Sequence, residues 1–232
     1  MLSIEIRELR EPAEFAACVA LQRETWGESF TEAVPATILK VAQKVGGITA
    51  GAFDSHELIG FVFGISGVEE GRPVHWSDML AVRESYRNQG IGEKLKLFQK
   101  ETLLSRGVDR IYWSFDPLEA KNAHINFNHL GVYVREFVVD MYGNTSSPLH
   151  STGTDRLIAI WDLKRVKQAF PIDERVAVPS DIHEIAEAEA RSWRGRTRTA
   201  FTQLLPEFVV TGFERGEKES YYALTSASNF AT

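Results

Sequence analysis

Apolar residues recur with two different periods along the first half of the chain, and the period separates helices from strands. After Pro12, apolar residues at roughly helical spacing predict a first helix; they are Phe15, Cys18, Val19, Leu21 and Trp26. A second short helix is predicted from Pro35 to Gly46-Gly47. The runs ITAGAF and LIGFVFGIS flank residues 54–57, which indicates two antiparallel strands joined by a short turn.

The pattern changes period after a further predicted strand, VHWSDMLAV (74–82). Ile91, Leu95, Phe98 and Thr102 follow at i, i+4, i+7 and i+11, which predicts a helix that ends at Arg106-Gly107. A strand at 110–115 and a short helix at 119–130 come next. The region therefore reads strand, helix, strand, helix.

The second half of the chain predicts more strands and a change of organisation near its end. YVREFVVD and RLIAIWDL read as strands, and a boundary is predicted at 169–178, around Pro171 and Pro179. Beyond it we expect a helix capped by Ser180, a second helix near 197–205, and a hairpin around Gly216 formed by FVVTGFER and ESYYALT.

These elements predict an α/β (α+β) fold, with a mixed and mostly antiparallel central sheet flanked by helices. We expect a main domain over residues 1–168 and a carboxy-terminal α+β extension over 169–232. The part beyond the boundary, roughly 55 residues, is small for an independent domain, so the extension is expected to pack on the main domain.

Composition narrows the function classes. The chain has 232 residues, 26 basic against 32 acidic, for a net charge of −6, which argues against a protein that grips nucleic-acid phosphates over a broad surface. Cys18 is the only cysteine, so neither an intrachain disulfide nor a zinc finger can form. No run of about 18 apolar residues is available to span a bilayer, and the first ten residues lack the core of a signal peptide. We therefore expect a soluble cytoplasmic protein.

Candidate chemistry concentrates in RNQGIG (87–92), between the predicted strand and helix. Gly90 and Gly92 leave backbone N–H groups unobstructed at a helix N-terminus, where they can bind a pyrophosphate, and Arg87 can add a charge-assisted contact. Two glycines also occur at ordinary strand–helix junctions, so the spacing alone does not decide. Leu95 stands where a dinucleotide fingerprint needs its third glycine, and no GxxxxGK[ST] occurs, which disfavours Rossmann and P-loop nucleotide sites.

Four segments in order carry a family resemblance: LAV (80–82), RNQGIG (87–92), RIYWSF (110–115), and Asn122-Ala123 through Leu130-Gly131. With them the chain resembles the GNAT (Gcn5-related N-acetyltransferase) superfamily. WSFDPL (113–118) and the 122–131 run are similar to one branch of predicted acetyltransferases in it. The resemblance covers most of the chain.

The resemblance implies acetyl-CoA or another acyl-CoA as cofactor, and direct attack of an amine on its thioester. The pantetheine arm would pair with a strand backbone, the pyrophosphate with the loop N–H groups, and an asparagine would lie near the pantetheine or thioester. The implied cofactor-binding residues are Leu80, Ala81, Val82, Arg87, Asn88, Gln89, Gly90, Ile91, Gly92 and Asn122.

The same resemblance suggests catalytic candidates, each with a structural alternative. Asp78 is the expected general base, although it can equally be a solvated structural residue, and the similar branch holds a histidine there. Asp116 is expected to orient an amine, or else to open an Asp-Pro turn. His124 is a base candidate whose alternative role is structural.

The usual general acid is missing. The superfamily's tyrosine four residues before the LG glycine is Phe127 here, which has no proton to donate. Asn126, Ser114, Tyr133 or water are alternatives, or the thiolate leaves unassisted. This departure leaves open a second function, a non-catalytic acyl-CoA-binding or regulatory module. Transfer to an oxygen or to a protein terminus also stays open.

One basic cluster contains Arg191, Arg194, Arg196 and Arg198 around Trp193. It can hold a phosphate or a carboxylated substrate, or it can be an exposed helix entrance balanced by the acidic residues of 184–189. A small-molecule amine is the expected partner, with no nucleic acid, no membrane and no metal, and a homodimer is left open.

Overall fold

The structure, a computed structural model, describes residues 4–28, 30–143 and 153–230. The chain divides into two compact units, Met1–Ile111 and Tyr112–Thr232. The domain boundary predicted between residues 168 and 169 falls inside the second unit, and it stays a prediction.

In the first unit, four antiparallel strands follow one another in sequence order: β1 (Ile4–Glu8), β2 (Ile48–Asp54), β3 (Glu57–Glu69) and β4 (Arg72–Val82). The hairpin and the strand predicted over 48–82 are confirmed. β1 is not predicted by the pattern analysis, although Ile4 and Ile6 alternate with charged residues as in a strand at the edge of a sheet.

Three helices belong to this unit: α1 (Pro12–Trp26), α2 (Ala36–Lys44) and α3 (Ile91–Ser105). α1 begins with a capping box between Glu11 and Glu14, with Pro12 in its first turn. Buried residues of α1, α2 and the strands form one apolar core: Leu9, Phe15, Cys18, Leu21, Leu39, Ala42, Phe53, Leu58, Phe61, Phe63 and Ala81.

The buried face of α3 is rotated slightly from the predicted one. Ile91, Leu95, Gln99 and Leu103 are buried, at a regular spacing of four residues, whereas Phe98 is half-buried. A polar residue, Gln99, therefore occupies a core position that a count of apolar residues passes over.

The second unit begins at Tyr112, within the strand β5 (Arg110–Phe115). Its strand order is β5, β7 (Arg156–Asp162), β6 (Tyr133–Val138), β9 (Phe208–Glu214), β10 (Glu219–Ser226) and β8 (Glu174–Pro179). The pairs β6–β7, β6–β9, β9–β10 and β10–β8 are antiparallel. The helices are α4 (Ala120–His124), which continues as a π-helical turn over Ile125–Leu130, α5 (Glu187–Leu204) and α6 (Ala227–Phe230).

The two helices predicted beyond the boundary are wrong. The segment 169–178 overlaps β8, a strand that the sequence did not predict and that ends at Pro179 at the edge of the order, where a missing N–H is tolerated. Ser180 caps no helix: its hydroxyl donates to the Gly216 carbonyl oxygen, and Asp181 caps a single 3₁₀ turn. One helix, α5, replaces the two that were predicted, while the hairpin β9–β10 is confirmed.

Both units combine helices with largely antiparallel strands, which confirms the predicted α/β class. Within the described ranges, every helix is too short or too polar to cross a membrane.

Candidate functional site

A left-handed loop connects β4 to α3. After a 3₁₀ turn at Glu84–Tyr86, Asn88 has φ 61° and Gly90, the N-cap residue directly before α3, has φ 73°. No side chain caps the helix there, and Lys94 is the first residue whose N–H donates back, to the Gly90 carbonyl oxygen at 3.0 Å. The N–H groups at the start of α3 are therefore left without helical acceptors.

This loop is shaped to receive an anion. Left-handed residues in a loop can turn neighbouring backbone N–H groups toward a common concavity, and the α3 dipole adds partial positive charge. Gly90 needs its positive φ, while a Cβ on Gly92 would lie 3.4 Å from the Leu80 side chain of β4. The residues fit a pyrophosphate, because the cradle is made of backbone and has no side chain of its own filling it.

Arg87 ties the loop to the end of the strand. Its Nε donates to the Val82 carbonyl oxygen at 3.1 Å, and the side chain is exposed. This bond orients the guanidinium and leaves its two terminal amino groups to contact an anion. A second hydrogen bond within the loop is formed by Gln89, whose Nε2 donates to the Ser85 carbonyl oxygen at 3.3 Å.

β4 carries a bulge at Asp78. Met79 pairs with Phe63 and Ser77 pairs with Gly64, so Asp78 is an extra residue on β4. The extra residue reverses the alternation of side chains along the strand. Beyond the bulge, Met79 and Ala81 pack on the core formed with α1 and α2, whereas Ser77 and His75, before it, contact α3.

The Asp78 carboxyl group sits in a partly desolvated position. Although the residue as a whole is exposed, the protein atoms around its carboxyl group raise the pKa, and the charge of Glu32 acts in the same direction. A hydrogen bond from the Trp76 side chain opposes this shift. The pKa of Asp78 is therefore moved toward the range in which a carboxylate accepts protons efficiently.

On β4, three residues before Asp78, His75 is completely buried and hydrogen-bonded at both ring nitrogens. Ser66 Oγ donates to the Gly46 carbonyl oxygen at 2.8 Å, so it accepts from His75 Nδ1 at 3.0 Å; Nε2 then accepts from Gln99 Nε2 at 3.1 Å. Burial, followed by the charges of Lys96 and Arg106, lowers the pKa of His75 to about 3. The imidazole is therefore neutral, and it ties β4 to α3.

A second hydrogen bond between β4 and α3 involves Ser77, the residue directly before the bulge. Lys96 Nζ on α3 donates to Ser77 Oγ at 2.7 Å, and burial lowers the pKa of Lys96 to about 7. Lys96 and His75 could not be predicted as parts of the site, because their positions relative to the bulge depend on strand pairing. The glycine Gly64 opposite Ser77 was a usable signal, since a Cβ there would lie 2.3 Å from His75 Nε2.

In the second unit, Asp116 is held by the protein itself. Its Oδ1 accepts from the Leu118 N–H at 2.8 Å, and its Oδ2 lies 2.5 Å from Arg194 Nη2 and 3.7 Å from Arg156 Nη1. The predicted Asp-Pro turn is confirmed. Its role in orienting an amine stays a prediction.

The basic cluster of α5 is mostly engaged in ion pairs. Arg194 is buried against Asp116, and Arg198 pairs with Asp155 at 2.7 Å and Asp140 at 2.8 Å. Of the remaining two, Arg191 pairs with Glu187, and the Arg196 guanidinium lies 3.5 Å from the centre of the Trp193 ring. The expected exposed helix entrance is therefore wrong for Arg194, whose partner comes from the segment after β5.

The other residues predicted in this unit lie on or near α4. Asn122 is exposed, and Asn126 is buried with an Nδ2 that has no hydrogen-bond partner in the described residues. The Phe127 ring is buried in edge-to-face contact with Phe115 and Tyr222, at 6.3 and 5.9 Å between ring centres. Aromatic packing thus fills the position of the expected tyrosine.

Two of the alternatives to that tyrosine, Ser114 and Tyr133, already have other contacts. Ser114 Oγ is hydrogen-bonded to Tyr142 Oη at 2.7 Å, and Tyr133 lies beneath the Arg165 guanidinium. His124 Nδ1 is hydrogen-bonded to Asn128, which agrees with its structural alternative. Tyr222, which the sequence did not single out, donates from its hydroxyl to the Pro117 carbonyl oxygen at 2.7 Å.

The first unit therefore brings Asp78, the stretch 80–82 and the loop 87–92 onto one continuous strand–loop–helix segment. Asp116, Asn122 and Asn126 belong to the second unit. The roles of all these residues remain predictions.

This strand–loop–helix segment lies inside a family match. Residues 9–131, more than half of the chain, match the model of the acetyltransferase (GNAT) family. The chain belongs to this family. Among curated protein sequences, none matches this GNAT chain significantly.

Solved structures of similar fold agree with the family. Aminoglycoside 6'-acetyltransferase type Ii is 21% identical, with a TM-score of 0.56 over 70% of this chain and 99% of that one. The ribosomal-protein-S18-alanine N-acetyltransferase of Escherichia coli is 15% identical, with a TM-score of 0.53 over 72% and 99% of the two chains. An aminoglycoside 6'-N-acetyltransferase complexed with coenzyme A is 17% identical, with a TM-score of 0.53 over 71% and 99%. At these identities the likeness shows the GNAT fold.

Proposed function

We propose that this GNAT protein transfers an acetyl group from acetyl-CoA, or an acyl group from another acyl-CoA, to the amine of a small-molecule acceptor. The observation that carries the proposal is the single segment that joins a bulge bearing Asp78 to the uncapped N-terminus of α3. The similar structures act, by name, on aminoglycosides and on a protein alanine, which are amine acceptors.

Cofactor binding is assigned to the backbone of this segment. The N–H groups from Asn88 to Gly92 would hold the pyrophosphate, with Arg87 adding charge, and the β4 backbone from Leu80 to Val82 would pair with the pantetheine arm. When bound, the cofactor supplies an activated thioester carbonyl. Asn122 on α4 is proposed as a further contact.

Asp78 is proposed as the base that takes the proton from the attacking amine. Its raised pKa suits that task, and the bulge leaves the strand ladder locally unpaired, so that a backbone N–H there can donate to the developing oxyanion. Asp116 is proposed to orient the amine rather than to exchange a proton, because it is already paired with Arg194. Asn126, whose buried Nδ2 has no partner in the described residues, is proposed to take over from the missing tyrosine.

A second candidate function is an acyl-CoA-binding module without turnover. It is favoured by Phe127, whose buried ring occupies the position of the usual proton donor. A thiolate is a tolerable leaving group, so this departure alone does not remove activity.

Two measurements test these functions. Isothermal titration with acetyl-CoA should show binding, and Arg87→Ala should weaken it about tenfold through loss of a charge-assisted contact. The matched control is Arg23→Ala, an exposed arginine on α1. Absence of binding at millimolar acetyl-CoA would overturn both functions.

Thiol release from acetyl-CoA, followed over a panel of amines, separates the two functions. The panel should contain an aminoglycoside, a diamine and a peptide with a free amino terminus. Release that depends on an acceptor supports the transferase, whereas binding without release with any acceptor supports the module.

A further inference from the structure

One face of α2 is apolar and exposed. Leu39 and Ala42 turn toward the core, but Ile38, Val41 and Val45, at i, i+3 and i+7, are 50%, 57% and 70% exposed. This spacing places the three side chains on one side of the helix. Amphipathic helices of globular domains usually present polar residues on that side, so this stripe is unusual.

The apolar surface continues onto β3. Gly64 pairs with Ile48, and Ser66 Oγ donates to the Gly46 carbonyl oxygen, so the segment that leaves α2 runs beside this part of the strand. Ile65, between them, is 48% exposed. We call Ile38, Val41, Val45 and Ile65 the α2 patch. Exposed aliphatic side chains on neighbouring segments are typical of interaction sites.

Charges of opposite sign flank the α2 patch. Glu28 and Glu32 precede α2, Lys40 lies at its middle and Lys44 at its end; all four are exposed. Over the ranges that the structure describes, none of the four has an ion-pair partner. The surface is therefore acidic toward the start of α2 and basic toward its end.

A second copy of the same surface complements this arrangement. In an antiparallel pair related by a two-fold axis, the basic end of each α2 faces the acidic end of the other, and the helix dipoles also oppose. A partner with a single sign of charge would match one end of the patch and be repelled by the other. The distribution of charge thus favours self-association.

We propose that the α2 patch is the interface of a homodimer in which two α2 helices pack antiparallel. The aliphatic side chains of the patch are buried at its centre, and Lys44 of each copy lies against Glu32 of the other. Neither acetyl-CoA binding nor acyl transfer is needed for this association, so its test is independent of the proposed function.

The first test measures the mass of the full chain by light scattering. We expect about twice 26.1 kDa at about 100 µM, with dissociation on dilution. Val41→Glu should give a monomer, because it buries an unpaired charge in the interface. Leu97→Glu is the matched control, since Leu97 is a 41% exposed aliphatic residue on α3, outside the patch. Circular dichroism verifies that both variants fold.

The second test reverses the flanking charges. Lys44→Glu and Glu32→Lys should each raise the dimer dissociation constant about tenfold, and the two substitutions together should restore it. A wild-type monomer at about 100 µM, a Val41→Glu dimer as tight as wild type, or a double variant as weak as the single ones would each overturn the proposed interface.

Discussion

Asp78 obtains its chemical setting from one extra residue in a strand. The bulge lifts its carboxyl group out of the regular alternation of β4, next to Trp76 and within the field of Glu32. An aspartate in an unbroken strand would be either fully solvated or forced into the core. Here it is exposed and still partly desolvated, which is the combination that a proton acceptor needs.

Replacing this carboxyl group should separate binding from catalysis. Asp78→Asn should lower kcat by about 10²–10⁴-fold, because the amide cannot accept the amine proton, and leave the affinity for acetyl-CoA unchanged. The control is Glu70→Gln, at an exposed carboxylate in the β3–β4 turn. The wild-type rate should rise with pH as the carboxylate forms, with an inflection above that of an ordinary aspartate. Equal kcat values for Asp78→Asn and wild type would exclude Asp78 as the base.

His75 should make the protein sensitive to acid. Its pKa is about 3 in the folded chain and about 6.5 when unfolded. Between these values the unfolded state binds a proton that the folded state does not, so the free energy of unfolding decreases as the pH falls from about 6.5 toward 3.

Urea unfolding at several pH values measures this effect. His75→Gln should flatten the pH dependence across that window, because it removes the titrating group. His56→Gln, in the exposed turn between β2 and β3, should change stability by less than about 0.5 kcal/mol. A His75→Gln protein with the wild-type slope would contradict the assignment.

At the scale of elements, a largely buried ion pair between Arg194 and Asp116 connects helix α5 to the segment after β5. Arg194 and Asp116 are 78 positions apart in the sequence, and Arg156 also approaches the same carboxylate. The arginines of α5 were predicted to lie on a solvated face, since nothing in the local sequence distinguishes Arg194 from its neighbours. Pairing across such a distance depends on the tertiary fold.

The two kinds of arginine on α5 should respond differently to substitution. Arg194→Met should destabilise the protein by about 3–5 kcal/mol, because it leaves Asp116 without its closest ion-pair partner at a mostly buried site. Arg191→Met, at an exposed i,i+4 pair with Glu187, should cost at most about 0.5 kcal/mol. Chemical denaturation of the two variants makes the comparison, and similar losses would refute a special role for Arg194.

At the scale of the whole molecule, the sequence predicts best what is local. The hairpin β2–β3, the strand β4 and the helix α3 follow from periodicity and turn residues over short spans. The strand β8 does not, because two prolines near a short apolar run favoured a linker. The bulge at Asp78 and the burial of His75 and Gln99 depend on how β4 pairs with β3 and packs on α3, which one sequence does not reveal.

The net charge of −6 does not conflict with a polyanionic cofactor, because the proposed pyrophosphate site is local to the loop between β4 and α3. The proposed contacts are backbone N–H groups and one arginine, so no broad basic surface is required.

The extra residue in β4 also determines which side chains of the strand face each side of the sheet. Deleting Asp78 would give a continuous ladder with β3, yet it would turn residues 72–77 over. His75 would then leave its partners Ser66 and Gln99 for the opposite surface of the sheet, and Trp76 would take its place beneath α3. The presence of residue 78 therefore sets which side chains of β4 face the core. The substitution Asp78→Asn changes only a proton acceptor, whereas deletion of the residue exchanges one face of the strand for the other.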